Sequence, residues 1–241
     1  QRGVVDGPRS MEHFKSYVVR VDNGIGKLNG FGFGRYLCTN AHFFGTDDKH
    51  ERKKQLIVKS TFGEQDFGKA KDIKFQQIGN TDVAVFKVPF DAPQYRKKLL
   101  MRPPVAGEQV FMVTPMPTHQ GMQLKISMQS IVIHDESYGS MWKHFISTVN
   151  GSCGSLLVAV NDHHVVGIHS LGVQEKRGWN YFAPVTTELI QCLNKTDNNF
   201  DQFTFRLDMV DCGALCVQQE SNIFPLMRLP KEILGFQMIH Q

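Results

Sequence analysis

A cysteine lies between two glycines at the start of an apolar run, in the segment NGSCGSLLVAV (residues 150–160). Glycine weakens a strand and is useful mainly where the backbone must turn sharply or admit another group closely, so a purely structural cysteine does not need one on each side. A thiol in such a turn can act as a nucleophile when a base takes its proton and a third group orients that base. Cys153 is therefore the first candidate for chemistry.

The candidate base is His42, one of ten histidines, because it follows the apolar segment FGFGRYLCTNA (residues 31–41) and would be delivered at a strand end. The candidate orienting acid is Asp82, between a Gly-Asn turn and the apolar run VAVFKV (residues 83–88). A carboxylate at such a junction can hold one imidazole tautomer and stabilise the imidazolium. Each residue also has a structural interpretation, a core or capping histidine and a turn aspartate.

The order His42, Asp82, Cys153 is that of chymotrypsin-type proteases and differs from the papain-like order, in which the cysteine precedes the histidine. The glycines would let the turn aim the backbone N–H groups of Gly151 and Cys153, with Ser152 as a further candidate, at one point. Such a group of donors forms an oxyanion hole. His42 would lower the pKa of the Cys153 thiol and receive its proton.

Short apolar runs bounded by Gly, Asn, Asp or Pro predict an all-β sandwich or barrel. The runs cover residues 17–21, 30–40, 55–60, 83–88, 109–114, 124–134, 155–160 and 164–170. One helix is predicted over residues 186–194, with Thr186 as its N-cap and Glu188 in its first turn. Together with the order of the candidate residues, this predicts two antiparallel β-barrels with the site in the cleft between them.

A charged connection that contains three prolines, residues 92–108, separates two blocks of predicted strands. We expect an N-terminal barrel over residues 1–115, which carries the histidine and the aspartate, and a C-terminal barrel over residues 116–205, which carries the cysteine. Residues 206–241 form a C-terminal extension of mixed character. No internal repeat with a fixed period is present.

Composition argues against several functional classes. The 241 residues carry a net charge of +4 and contain no apolar stretch of about 18 residues, so no membrane span or membrane partner is expected. Five cysteines are an odd number in a chain too large to need disulfide staples, which predicts a reducing compartment. Zinc at Cys212 and Cys216 lacks a second Cys/His pair nearby, and a metal at Cys38 and His42 is an alternative that stoichiometric zinc would reveal.

Lysine and arginine cluster in residues 49–54 and 95–102. A solvated surface is the favoured interpretation, because neither run has interleaved aromatics or a known reading motif. The alternative is an RNA-associated scaffolding module whose binding is non-specific and salt-sensitive.

Four runs, with DGPR near the start, resemble the nuclear inclusion a protease of the potyvirus family. These runs are residues 30–44, 80–94, 142–158 and 165–170, and the resemblance covers roughly residues 6–190. It implies a chymotrypsin-like fold with cysteine in place of serine, no cofactor, and excision of itself and other products from a viral polyprotein. It also implies a genome-linked viral protein as the upstream fusion partner, a contact with RNA, and localisation in the host cytoplasm and nucleus.

Carried over by position, the resemblance assigns the catalytic triad to His42, Asp82 and Cys153. It assigns the pocket for a glutamine before the scissile bond to Thr148 and His169. A hydroxyl and a neutral imidazole can both hydrogen-bond a carboxamide, and unpaired polar groups in such a pocket reject other side chains strongly.

The expected substrate-binding set also includes Asn150, Ser170 and Gly172. Asn150 stands where well-known members carry aspartate, so one contribution to the pocket is altered. Gly172, Lys176 and Arg177 replace small polar residues in a stretch that contacts upstream substrate residues, and the two cations suggest that an acidic residue is accepted there.

The end of the chain reads FQMIHQ, and the first residue is not Met. A terminal Gln241 is what a glutamine-specific protease would leave after cutting at its own C-terminus. We expect the substrate to bind extended, as an added strand beside the second barrel.

Overall fold

The structure is a computed structural model that describes residues 11–24, 26–44, 54–135, 140–172 and 179–195. In these segments it contains two seven-stranded antiparallel sheets and one α-helix. The predicted all-β class with two barrels is confirmed.

The first sheet carries the elements that hold His42 and Asp82. Its strands follow the order β5-β4-β1-β2-β3-β7-β6. They are β1 (Val18–Asp22), β2 (Lys27–Phe33), β3 (Tyr36–Thr39), β4 (Gln55–Ser60), β5 (Gly63–Lys69), β6 (Phe75–Gln77) and β7 (Ala84–Lys87).

The second sheet carries the cysteine loop and closes on itself. Its order is β10-β11-β14-β13-β12-β8-β9, and β10 also pairs with β8, so that Ser130 lies opposite Val110. The strands are β8 (Gln109–Thr118), β9 (Gly121–Ile126), β10 (Ser130–His134), β11 (Trp142–His144), β12 (Leu156–Ala159), β13 (Val165–Leu171) and β14 (Asn180–Pro184).

The differences from the predicted strands have local causes. The run 30–40 forms two strands, because Gly34 adopts a φ of +59° and turns the chain back between them. The run 124–134 is likewise divided between β9 and β10. β5, β6, β11 and β14 were missed, and the sequence of β5, GEQDFGK, shows why: its side chains are mostly polar and exposed.

The one helix of the described segments, α1 (Thr187–Asn194), agrees with its prediction. The Thr186 hydroxyl accepts a hydrogen bond from the backbone N–H of Leu189 at 3.2 Å and so caps the helix. Leu189 and Leu193 are buried on its inner face. No helix in the described part of the chain is long and apolar enough to cross a membrane.

The passage from the first sheet to the second lies between Lys87 and Gln109, so the predicted boundary after residue 115 falls inside β8. Arg102 anchors this connection to the second sheet through Glu108 at 2.7 Å and Asp162 at 2.7 Å. The predicted extension, residues 206–241, lies outside the described residues.

One cluster of buried side chains runs from the first sheet into the second. It includes Phe31 and Phe86 on the first side and Leu156 and Ile168 on the second, all almost without exposure. Burial of a continuous apolar surface is the main stabilising contribution of such a core. The two barrels are thereby held together, and the cleft between them has a defined geometry.

Candidate active site

His42 lies in the short 3-10 helix Ala41–Phe44 that follows β3, as expected for a residue delivered at a strand end. Its backbone N–H donates to Asp82 Oδ1 at 2.9 Å, and its Nδ1 lies 2.7 Å from Asp82 Oδ2. A proton held on Nδ1 by the carboxylate leaves Nε2 as the basic nitrogen. The imidazole can therefore accept a proton at Nε2.

The Asp82 carboxylate receives donors from both barrels. The Asn40 side chain donates to Oδ2 at 3.3 Å, and the Ser170 hydroxyl donates to the same oxygen. Together with the two contacts from His42, these bonds stabilise a charge that is almost completely buried. The second barrel thus helps to orient a carboxylate that belongs to the first.

Cys153 is completely buried in the turn before β12. Its Sγ lies 3.3 Å from the carbonyl oxygen of Ser170, the residue whose hydroxyl donates to Asp82. The structure therefore brings the three predicted residues together around one residue of β13. Chemistry at its sulfur requires the reduced thiol, which can lose its proton to a base.

Two glycines flank Cys153 with positive φ, +84° at Gly151 and +80° at Gly154. A Cβ added at Gly154 would lie 1.7 Å from the carbonyl oxygen of Asn29 in the first barrel. The glycine predicted from the turn is thus required both by its backbone angle and by the close approach of another chain segment.

The hydrogen bonds of the turn indicate which N–H groups can face a substrate. The N–H of Ser152 donates to the carbonyl of Val149 at 3.1 Å, inside the loop. The carbonyl of Ser152 accepts from Ser155 at 3.1 Å, and in a planar trans peptide the following N–H, that of Cys153, points the opposite way. Of the three expected oxyanion donors, Ser152 is therefore directed inward, and Gly151 and Cys153 remain the candidates.

His169 on β13 lies in a fully buried pair with His144 at the end of β11. His144 Nε2 is 3.0 Å from His169 Nδ1, and His144 Nδ1 accepts from the N–H of Ile146 at 3.1 Å. Burial first, and then the charge of His42, lowers the pKa of His169 to about 3. Burial and the neighbouring His169 hold the pKa of His144 well below its ordinary value. Both rings are neutral at physiological pH.

The remaining substrate-binding candidates have different environments. Thr148 is half-buried, and its hydroxyl accepts from the Asn180 side chain at 3.1 Å. Asn150 is exposed at the mouth of the loop, and Gly172 is buried just beyond β13. The hydroxyl of Ser170 is bonded to Asp82 and so serves the carboxylate. Lys176 and Arg177 lie outside the described residues.

Sequence reasoning missed Asn29, Asn40, His144 and Asn180. All four are buried polar residues whose side chains bond the segments that carry the candidates. No spacing rule identifies them, because each acts through a partner distant in sequence. A buried polar residue inside an apolar strand pattern, such as Asn29 before GFGF, is the one available signal.

The alternative metal sites are not supported by this geometry. Cys38 is buried, and burial raises the pKa of its thiol well above the ordinary value, which disfavours the thiolate that a metal requires. Within the described segments no group of three or more His, Cys, Asp or Glu could hold a metal ion. Cys212 and Cys216 lie outside them.

The known proteins that this chain resembles are viral polyproteins and proteases. The model of Peptidase family C4 matches residues 1–230. The genome polyprotein of Brome streak virus (strain 11-Cal) is 29% identical over 241 residues, which cover 99% of this chain and 8% of that polyprotein. The chain therefore spans less than a tenth of the length of the first curated relatives that it matches.

Two solved structures share the fold. The tobacco vein mottling virus protease has a TM-score of 0.73 and 27% identity, over 83% of this chain and 91% of that chain. A catalytically active tobacco etch virus protease complexed with product has a TM-score of 0.67 and 29% identity, over 75% of this chain and 77% of that chain.

Proposed function

Because the chain belongs to peptidase family C4 and is a cysteine protease with a chymotrypsin-like fold, we propose that it cleaves a viral polyprotein after glutamine, using His42, Asp82 and Cys153. The observation that carries this proposal is the position of Ser170. Its carbonyl lies 3.3 Å from Cys153 Sγ while its hydroxyl donates to Asp82, the carboxylate that holds His42.

Acylation begins when His42 takes the proton of the reduced Cys153 thiol. The sulfur attacks the carbonyl carbon before the scissile bond and forms a C–S bond, and the carbonyl oxygen becomes an oxyanion. Collapse of this intermediate breaks the C–N bond, and the proton on His42 passes to the leaving amine. Asp82 keeps the imidazole in the orientation that both transfers need.

The backbone N–H groups of Gly151 and Cys153 stabilise the oxyanion in this proposal. Donors oriented before the reaction are effective because they need no reorganisation as the charge develops. In the second half-reaction His42 takes a proton from water as the water oxygen attacks the thioester carbonyl. The C–S bond then breaks, and the proton on His42 passes to the departing sulfur. The carboxylic acid product leaves and the thiol is regenerated.

Glutamine selectivity is attributed to His169 and Thr148. With His144 Nδ1 occupied by the N–H of Ile146, the neutral His144 carries its proton on Nε2 and donates to His169 Nδ1. His169 then has its own proton on Nε2 and is a donor for a carboxamide oxygen. The Thr148 hydroxyl, fixed by Asn180, adds a second polar contact. A glutamate carboxylate would be disfavoured, because His169, His144 and Thr148 are all uncharged and offer it no cation.

The polyprotein substrate of the proposal is supported by the relatives, and its setting by the resemblance of the sequence. The curated relatives are genome polyproteins, and one solved relative is a catalytically inactive tobacco etch virus protease complexed with substrate. We extend the proposal to binding of the substrate as an added strand, to self-excision, to an upstream genome-linked protein, and to action in the host cytoplasm and nucleus.

Non-specific RNA binding is a secondary proposal. Arg96, Lys97 and Lys98 are exposed, and a cavity of about 200 Å³ nearby is lined by Arg35, Lys97 and Lys195. Most of the other basic run, residues 49–53, lies outside the described residues. A fluorescent single-stranded RNA should bind with an affinity that falls steeply as salt rises, and binding that does not depend on salt would contradict this proposal.

The test uses a peptide that contains FQMIHQ followed by a small residue, with reducing agent present. The parent protein, its Cys153→Ala variant and a Cys192→Ala control are incubated with the peptide, and the products are identified by mass. We expect scission after the glutamine by the parent and by the control, whose cysteine lies on α1, and none by Cys153→Ala. Absence of cleavage of this and related glutamine peptides by the parent would contradict the proposed function.

A further inference from the structure

Asn29 on β2 is a completely buried polar residue that binds the cysteine loop of the opposite barrel. Its side-chain Nδ2 lies 2.7 Å from the carbonyl oxygen of Gly151, 3.0 Å from that of Cys153 and 3.2 Å from the hydroxyl of Ser155. Its backbone N–H donates to the Cys153 carbonyl at 2.8 Å. Two hydrogens on Nδ2 serve three acceptors, and the shortest contact is the one to Gly151.

Arg20 determines which way the Asn29 amide faces. The two residues lie opposite each other in the antiparallel β1–β2 pair. The guanidinium Nη1 donates to Asn29 Oδ1 at 3.1 Å and lies 3.4 Å from the Gly151 carbonyl oxygen. A guanidinium has donors only, so the amide oxygen must face Arg20 and the NH₂ group must face the loop.

These contacts fix one peptide unit of the loop. With the Gly151 carbonyl held toward the first barrel, the N–H of the same peptide, that of Ser152, points the other way and reaches Val149. Gly151 has a φ of +84°, and a glycine has no Cβ that would resist rotation of this peptide. Orientation of this peptide therefore depends on its hydrogen bonds, and Asn29 and Arg20 supply those that come from outside the loop.

We propose that Asn29 and Arg20 are positioning residues for the protease reaction: by holding the Gly151 carbonyl they fix the peptide between Gly151 and Ser152. The two peptides on either side of it carry the N–H groups of Gly151 and Cys153 and are thereby kept directed at the reacting carbonyl. This inference rests on the proposed function. Neither residue belongs to the proposed substrate-binding set, and both act from the first barrel on a loop of the second. Packing of the two barrels thereby contributes to the oxyanion hole as well as to the triad.

The expected effect is a loss of turnover with little loss of binding. Removing one oxyanion donor typically lowers kcat by about a hundredfold to a thousandfold. Asn29→Asp, which replaces the donor by an acceptor facing two carbonyls, should lower kcat by about a hundredfold with KM changed less than about threefold. Arg20→Gln should lower kcat by about tenfold, and Arg20→Lys, which keeps a donor, should lie between Arg20→Gln and the parent.

The experiment measures kcat and KM for a glutamine peptide and, separately, the rate at which iodoacetamide alkylates Cys153. Alkylation uses the thiolate and its partner His42 and forms no oxyanion. We expect the alkylation rates of Arg20→Gln and Asn29→Asp to stay within about twofold of the parent while kcat falls. Lys59→Gln is the matched control, since Lys59 is an exposed cation on β4 of the same sheet; its kcat should equal that of the parent.

The outcomes distinguish a failure of the positioning role of Asn29 and Arg20 from a failure of the proposed cleavage after glutamine. Unchanged kcat in both variants, or kcat and alkylation rate falling together, would overturn the positioning role. Parent protein that cleaves no glutamine peptide would instead overturn the proposed function. If thermal unfolding shows that Asn29→Asp does not fold, the test uses the half-buried Arg20 instead. The kcat of Arg20→Gln and its partial recovery in Arg20→Lys then show whether the positioning role holds.

Discussion

The imidazole of His144 lies 3.0 Å from that of His169, the proposed donor of the substrate pocket, and both rings are buried. Because the N–H of Ile146 occupies Nδ1 of His144, the proton between the two rings belongs to His144, and His169 is left with a proton on Nε2. A residue that does not reach the pocket thus determines what the pocket can donate.

Replacing His144 should weaken the discrimination between glutamine and glutamate. In His144→Phe, His169 loses the hydrogen-bond donor that fixes its tautomer. Its proton can then lie on Nδ1, and in that tautomer Nε2 cannot donate to the substrate. We expect kcat/KM for a glutamine peptide to fall by about tenfold, and the glutamine-to-glutamate ratio to fall with it. His134→Phe, at an exposed position, is the control. If kcat/KM of His144→Phe falls but its glutamine-to-glutamate ratio equals that of the parent, His144 has only a structural role.

The same pair predicts a pH dependence of stability. The folded pKa of His169 is lowered to about 3, mainly by burial, and that of His144 is also lowered. Below the unfolded value of about 6.5 the unfolded chain binds protons that the folded protein excludes, so the free energy of unfolding decreases as pH falls from about 6.5 toward 3. Each histidine contributes up to about 1.4 kcal/mol per pH unit.

Urea unfolding of the parent and of His144→Phe at several pH values measures this slope. The variant should lose about 1 kcal/mol per pH unit of the slope between about pH 6 and pH 5. Equal slopes would mean that His144 is protonated in the folded protein.

Two glycines with the same backbone angle should respond differently to alanine. Gly107 and Gly154 have φ of +81° and +80°, but a Cβ meets nothing within 4 Å at Gly107 and the Asn29 carbonyl at 1.7 Å at Gly154. Gly107→Ala should cost about 1 kcal/mol of unfolding free energy, the penalty of the backbone angle alone. Gly154→Ala should cost about 3 kcal/mol or more and abolish cleavage. Similar losses in the two variants would disprove the close approach of the barrels.

Asp82→Asn should keep the fold and lose most activity. An amide can present its NH₂ to His42 and stabilise the wrong tautomer, so we expect kcat to fall by about a thousandfold to ten-thousandfold. Asp91→Asn, at an exposed position in the same half of the chain, should be unchanged. Peptide cleavage kinetics under reducing conditions measure both variants. Near-parental activity of Asp82→Asn would show that Asp82 does not orient His42 for catalysis.

The sequence was informative where chemistry and backbone geometry demand particular residue types. Glycines on both sides of Cys153, a histidine after an apolar strand and an aspartate before another could be read directly, because each reflects a local requirement. The capped helix α1 was predicted for the same reason. The polar strand β5 could not be predicted, since partner strands rather than its own pattern keep it in the sheet.

Long-range polar contacts could not be predicted from the sequence for a related reason. Asn29 binds residues more than a hundred positions away, and His144 and His169 meet only because β11 and β13 both pair with β14. The two functions of Ser170, one through its hydroxyl and one through its carbonyl, likewise become visible only when both barrels are in place.

Trapping the covalent intermediate tests directly whether Cys153 is the nucleophile. A glutamine peptide is mixed with reduced protein, the reaction is quenched with acid within the first turnover, and the protein is digested and mapped by mass. We expect a thioester of the peptide's amino-terminal product on Cys153, absent from Cys153→Ala. Acylation of another cysteine such as Cys38 or Cys192, or continued cleavage by Cys153→Ala, would contradict it.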